Sequence, residues 1–252
     1  MKRAELRSRY ERRQPAHCLF VTIPHHITVE VAGLLGFDLV ILDEEQIIAD
    51  AEAMRGMIMA GERYGLSTLV RLAEATPWRI QSVLAMGAQG VLLPSLRAVD
   101  EVRRLAAAAK YPPEGTRGLG HSRATAYGLR EGWTALMPRI NDETMVHVIV
   151  ETKEALDEIE AVAAVDQVDA VDIGLLDLSV ALGCAGNTGD AKVQAAMDRI
   201  IAAAHAAGKP AGVAAPSPQA ARQLIARGID MLIIDAAAVM HVGSKAFMEA
   251  RP

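Results

Sequence analysis

An alternation constrains this chain more than any other feature. Eight short apolar runs are separated by longer segments with helical spacing. The runs fall at residues 17–23 (HCLFVTI), 38–42 (DLVIL), 67–72 (STLVRL), 90–93 (GVLL), 146–151 (VHVIVE), 170–173 (AVDI), 210–214 and 231–234 (MLII). Most are continuous rather than alternating, as in parallel strands buried on both faces. The segments at 28–35, 50–64, 77–86, 99–109, 155–163, 193–207 and 218–227 read as helices. Several stop at a glycine (Gly36, Gly65, Gly87, Gly208, Gly228), and the third begins at Pro77, the usual asymmetry of helix ends. Alternating β and α predicts a parallel sheet, and eight repeats predict closure into a (β/α)8 TIM barrel. A length of 252 residues is ordinary for one such barrel. The chain therefore reads as a single domain over 1–252, with residues 1–15 a helical or flexible extension. An open doubly wound sheet is the runner-up, weakened by the lack of a G-x-G-x-x-G after the first run. The stretch from 110 to about 142, dense in Gly and Pro, reads as a long irregular loop.

Composition narrows the function classes. Aromatic residues make up only 4% of the chain, which argues against a stacking platform for single-stranded nucleic acid. The formal net charge of -5 argues against a polyanionic partner. No apolar run approaches the ~20 residues of a membrane span. The charged N-terminal stretch lacks the apolar core of a signal peptide. Cys18 and Cys184, far apart and outside any C-x-x-C pair, suggest a reducing compartment. The reading is a cytoplasmic protein that binds a small molecule, with no nucleic-acid or membrane partner.

In a (β/α)8 enzyme the active site lies at the C-terminal ends of the strands. The second run ends in Asp43-Glu44-Glu45-Gln46, the third near Arg71, the fifth in Glu151, and the sixth leads to Asp177. Carboxylates gathered in one mouth repel unless a cation offsets them. A hard divalent cation does so, with water and substrate oxygens completing its shell. A 2-oxo acid chelates such a metal through its keto and carboxylate oxygens, and the metal stabilises an enolate. Arg71 is suited to fork onto a carboxylate or enolate oxygen. The competing explanation is that Asp43 and Asp177 only cap helices.

Three segments carry a more specific likeness: residues 36–45 (GFDLVILDEE), residues 87–120, containing KYPPEGTRGLG, and residues 150–189, containing ETKEAL and IGLLDLSVALG. With these the chain resembles the HpcH/HpaI aldolase family, from about residue 17 to 240. The resemblance implies a (β/α)8 barrel, usually hexameric. It implies a divalent metal, Mg2+ before Mn2+ or Co2+, held at Glu151 and Asp177. It makes Arg71 the ligand of pyruvate or its enolate. It gives the substrate carboxylate to the backbone N–H groups around Leu176 and Asp177, and matches Asp43 and Glu45 to the family's acidic pair.

The chain departs from that family at four positions. Gln46 stands where the family has a His, and Ala85 where an Asp reaches a neighbouring subunit's site. Ile149 replaces a Gln, and Leu175 a Pro. The first two belong to one proton-transfer pair, and Gln cannot act as a base, although it can hydrogen-bond a substrate oxygen. If a histidine substitutes, His26 or His121 is the choice; His25 also follows the first run. The expected function is a metal-dependent carbon–carbon lyase or aldolase acting on a 2-oxo acid of pyruvate or oxaloacetate type. The alternatives are a citrate-synthase-like condensing enzyme using oxaloacetate and acetyl-CoA, and a 2-oxo acid decarboxylase or non-catalytic binder.

Overall fold

The computed structural model describes residues 3–12, 14–47 and 50–249; residues 1, 2 and 13 of the N-terminal stretch lie outside these. Eight parallel strands close into a barrel in sequence order, each paired with the next and the last with the first. They are β1 (Ala16–Val21), β2 (Leu39–Asp43), β3 (Ser67–Arg71), β4 (Gly90–Leu93), β5 (Met145–Val150), β6 (Ala170–Ile173), β7 (Ala211–Ala214) and β8 (Met231–Asp235). Helices α1 (Arg3–Glu11), α2 (His26–Leu35), α3 (Ala51–Arg63), α4 (Pro77–Ala85), α5 (Val99–Ala109) and α6 (Trp133–Glu143) lead up to β5. Then follow α7 (Lys153–Asp157), α8 (Ile159–Ala163), α9 (Leu175–Ala181), α10 (Ala191–Ala206), α11 (Pro218–Arg227) and α12 (Ala236–Met248).

Local chemistry sets the helix starts. Thr76, Ser217 and Asp235 each accept a first-turn N–H, and Pro77 and Pro218 follow two of these caps. Thr152 caps α7 from the Ala155 N–H at 3.1 Å while its hydroxyl donates to Leu96 O at 2.5 Å. That pair of bonds ties the loop after β4 to the end of β5.

The expected strands are present with ends moved by one or two residues. Three helical segments differ from the sequence reading. Residues 155–163 form two short helices that meet at Glu158, which stands at φ -103, ψ 18. The supposed loop at 110–142 holds a 3-10 turn over Arg123–Gly128 and the whole of α6. Pro138 sits inside α6, and proline in a helix interior ordinarily marks a break. The alanine-rich run after β8 forms α12, for which no helix was expected.

Apolar side chains fill two shells. The larger lies between sheet and helices; the smaller, inside the barrel, includes Cys18, Ile41, Leu69, Leu92, Ile149 and Ile233. One polar pair interrupts the inner shell. His147 Nδ1 lies 3.0 Å from Asp172 Oδ2, with the residues 0% and 3% exposed. His147 Nε2 and Asp172 Oδ1 have no partner among the described residues. Gly212 makes room for Asp172, since a Cβ there would stand 2.0 Å from Asp172 Oδ1.

Candidate active site

The strand ends deliver their polar residues to one mouth. Asp43 and Arg71 end β2 and β3 and face each other in register. Arg71 Nε donates to Asp43 Oδ1 at 2.9 Å, and its Nη1 lies 2.8 Å from Glu45 Oε2. Its guanidinium carbon sits 4.6 Å from the centroid of the Phe20 ring, which fixes it from below. Asp43 Oδ1 also accepts the N–H of Glu45 at 3.1 Å and of Gln46 at 3.4 Å. Asp43 therefore holds both the arginine and the turn that follows β2. Its second oxygen, Oδ2, is buried with no partner among the described residues.

Glu151 follows β5 and is 7% exposed. Its Oε1 accepts the Ser95 N–H at 2.6 Å and the Ser95 hydroxyl at 3.3 Å. Oε2 has no donor among the described residues and lies against Gly174, where a Cβ would stand 2.8 Å from it. Asp177 lies exposed in the first turn of α9, one residue beyond Leu176, which is 63% exposed.

These acids feel one another. Burial raises the Glu151 carboxyl above the ordinary glutamate range; Ser95 partly offsets this, and the charges of Glu45 and Asp177 add to it. Burial likewise raises Glu45; Arg71 opposes the shift, while Asp43 and Asp177 reinforce it. Carboxylates in mutual repulsion, with an undonated oxygen on Glu151, fit a hard divalent cation. Among the described residues no three His, Cys, Asp or Glu side chains group to hold a metal. A divalent cation at this mouth would have few protein ligands, with water and substrate completing its shell.

The remaining sequence candidates fall elsewhere. Gln46 is exposed beside Asp43. Glu44 turns outward, accepting from Arg79 Nε at 2.8 Å. His26 begins α2, where its Cβ approaches Gly56, and His25 caps that helix. His121 follows α5, and its ring stacks on Trp133 at 5.9 Å. Ser95 was missed from sequence. A serine after Pro94, which follows β4, was its one signal. It holds φ at 55°, a strained value for a non-glycine residue.

A closed parallel barrel with acids and an arginine converging at the C-terminal rim defines a (β/α)8 protein of the enzyme type. The family model described as HpcH/HpaI aldolase/citrate lyase matches residues 17–234. The chain belongs to this family. A 2-keto-3-deoxy-L-rhamnonate aldolase of Shigella sonnei is 34% identical over 207 residues, 81% of this chain and 76% of that protein. The solved HpcH/HpaI aldolase of Desulfitobacterium hafniense superposes with a TM-score of 0.89 at 25% identity, covering 98% of this chain and 97% of that one. A family protein of Burkholderia cenocepacia gives 0.90 at 26%, covering 98% and 99%.

Proposed function

We propose that the chain is a carbon–carbon lyase of aldolase type that cleaves a 2-oxo acid at this mouth with a divalent metal held by Glu151 and Asp177. The observation that carries the metal site is the undonated Oε2 of a buried Glu151 whose carboxyl is crowded by Glu45 and Asp177. A bound divalent cation supplies Lewis-acid polarisation of the 2-oxo group; Mg2+ is the first choice by hardness.

The chain's own residues do the rest. Arg71 Nη2 has no partner among the described residues, while Nε and Nη1 are tied to Asp43 and Glu45. Arg71 is thus held by two carboxylates with one donor left for the substrate, a preorganised arrangement. Asp43 Oδ2, buried and unpaired, takes a donor from water or a substrate hydroxyl. The N–H groups of Leu176 and Asp177 open α9 and receive the substrate carboxylate. Gln46 donates or accepts a hydrogen bond at the rim but carries no proton. Glu45 serves as proton carrier: its raised carboxyl holds a proton to higher pH than an ordinary glutamate.

By its aldolase relative, the substrate class is a 3-deoxy-2-oxo sugar acid, with pyruvate as one product. A condensing enzyme taking oxaloacetate as electrophile is the second reading, favoured by Gln46, since that role demands less of a base there. A homo-oligomer is supported by large apolar side chains left exposed, with Leu34 and Leu35 of α2 at 73% and 70% and Phe247 of α12 at 78%. No helix among the described residues is long and apolar enough to cross a membrane. A cytoplasmic setting accords with two free cysteines.

The test is turnover with Mg2+. Pyruvate plus an aldehyde from a 4-hydroxy-2-oxo acid, abolished by chelator, supports the lyase. Citrate and free thiol from oxaloacetate and acetyl-CoA would replace it with the condensing enzyme. Pyruvate from oxaloacetate alone would leave only decarboxylation.

A further inference from the structure

Between each strand end and the first turn of the helix that follows it, the lysines and arginines after β1 are Arg71, Arg79, Arg97 and Lys153. Each already meets an acid. Arg71 holds Asp43 and Glu45, and Arg79 Nε donates to Glu44 at 2.8 Å. Arg97 Nη1 lies 3.4 Å from Glu154, and Lys153 Nζ 2.5 Å from Asp157.

Acids dominate the same end of the barrel. The charges of Asp43 and Asp177 reach Glu45, those of Glu45 and Asp177 reach Glu151, and Arg71 opposes them at Glu45. In the proposed reaction the remaining donor of Arg71 and the bound cation serve the 2-oxo acid end of the substrate. The other half, released as the aldehyde, finds no unpaired lysine or arginine among the described residues of these segments. A carboxylate on that half would sit among like charges in a partly buried site, where repulsion is stronger than in water.

Unpaired polar atoms show what fits instead. Asp43 is 1% exposed, and its Oδ2 has no partner among the described residues; nor has the buried hydroxyl oxygen of Thr22. Thr22 and Asp43 each come directly after the last pair of the β1–β2 ladder, Val21 and Leu42. A buried acceptor and a buried hydroxyl left unmet are costly. One substrate hydroxyl serves both, since it donates to the carboxylate and accepts from the threonine. Beside Asp177, Leu176 leaves its apolar side chain exposed, and Val180 follows it one turn on along the same face of α9.

We infer that the aldehyde half of the substrate is uncharged and hydroxylated, so that the enzyme takes 2-oxo acids with a single carboxylate and rejects those with a second one at the far end. This rests on the lyase reading above. Cleavage breaks the C3–C4 bond. The electron pair stays on C3 as the enolate of pyruvate, and the C4 hydroxyl loses its proton to become the aldehyde. A proton added at C3 then gives pyruvate. Nothing in that step requires a charge on the departing half, so the mouth decides it.

The full chain with Mg2+ is tested in the direction of addition. Deuterium exchange into the pyruvate methyl group, followed by NMR, first reports enolate formation. Then kcat/KM is measured with pyruvate and two matched aldehyde pairs. Succinic semialdehyde and its methyl ester differ in charge; lactaldehyde and propanal differ in a hydroxyl. The ester is expected to exceed the acid by about tenfold or more, and lactaldehyde to exceed propanal by about tenfold or more. Thr22→Val, which keeps the shape and loses the hydroxyl, is expected to shrink the second ratio about threefold or more and leave the first in place. The two wild-type ratios decide the matter if Thr22→Val does not fold. A ratio near one or below it for either pair, or a second ratio untouched in Thr22→Val, overturns this inference alone. No exchange into pyruvate overturns the lyase reading and this inference with it.

Discussion

Ser95 and Glu151, 56 residues apart in sequence, are joined by a 2.6 Å hydrogen bond from the serine N–H to one carboxylate oxygen. The bond crosses from the loop after β4 to the end of β5. It fixes the carboxylate so that Oε2 faces Gly174 and carries no donor of its own. On the proposed reading, this bond orients Glu151 as a ligand for the divalent cation.

Gly174→Ala tests that positioning. The new Cβ would stand 2.7 Å from Glu151 Cβ and 3.0 Å from Ile149 Cγ2, so Glu151 must move. Metal affinity is expected to fall about 10- to 100-fold, the usual effect of disturbing the groups that orient a ligand. Calorimetric titration with Mn2+ measures it.

Arg71→Lys tests the arginine. A lysine cannot keep the bonds to Asp43 and Glu45 and still present a donor to substrate. The loss is expected to be about 1.5–3 kcal/mol, or roughly 10- to 100-fold in KM for the 2-oxo acid. Steady-state kinetics reads it directly.

Acidity provides a third prediction. Glu151 and Glu45 have carboxyls raised by folding. Such groups contribute stability that is full below the ordinary glutamate pKa and lost as pH rises through the raised value. Without metal, Glu151→Gln should therefore unfold at a higher temperature than the wild type at neutral pH, and the gap should close on acidification. With saturating Mg2+ the order should reverse. Thermal melts across pH, with and without Mg2+, check both signs.

The proton-transfer pair provides a fourth. Gln46→His together with Ala85→Asp restores two groups that the family resemblance associates with moving the aldol proton. Retro-aldol kcat is expected to rise about 100-fold or more, the scale of general acid–base catalysis. An unchanged kcat would place the divergence elsewhere in the mouth.

The barrel was legible in the sequence because its strands are buried on both faces. The run LVILD of β2 is buried at every position and reads as apolar without any partner information. Helix α6 was hidden by Pro138 and by the glycines before it, since its fold is fixed by packing of Leu136 and Ile140 rather than by local signals. The strand-end acids and Arg71 were legible from position alone, as residues that end apolar runs. Ser95 was not, because a serine after a proline is commonplace and its meaning arises only from a partner 56 residues away. The buried His147–Asp172 pair was equally hidden: each residue sits alone in an apolar run, and only the pairing of β5 with β6 brings them together.

The proposed function requires that Glu151 and Asp177 together hold a divalent metal. Electron paramagnetic resonance of free Mn2+, titrated against wild type, Glu151→Gln and Asp177→Asn, tests it most directly. The expected result is one saturable site per chain in the wild type and a loss of about 100-fold or more in each variant, the scale of about 2.7 kcal/mol for removing a charged ligand. Wild-type affinity retained in both variants would contradict it.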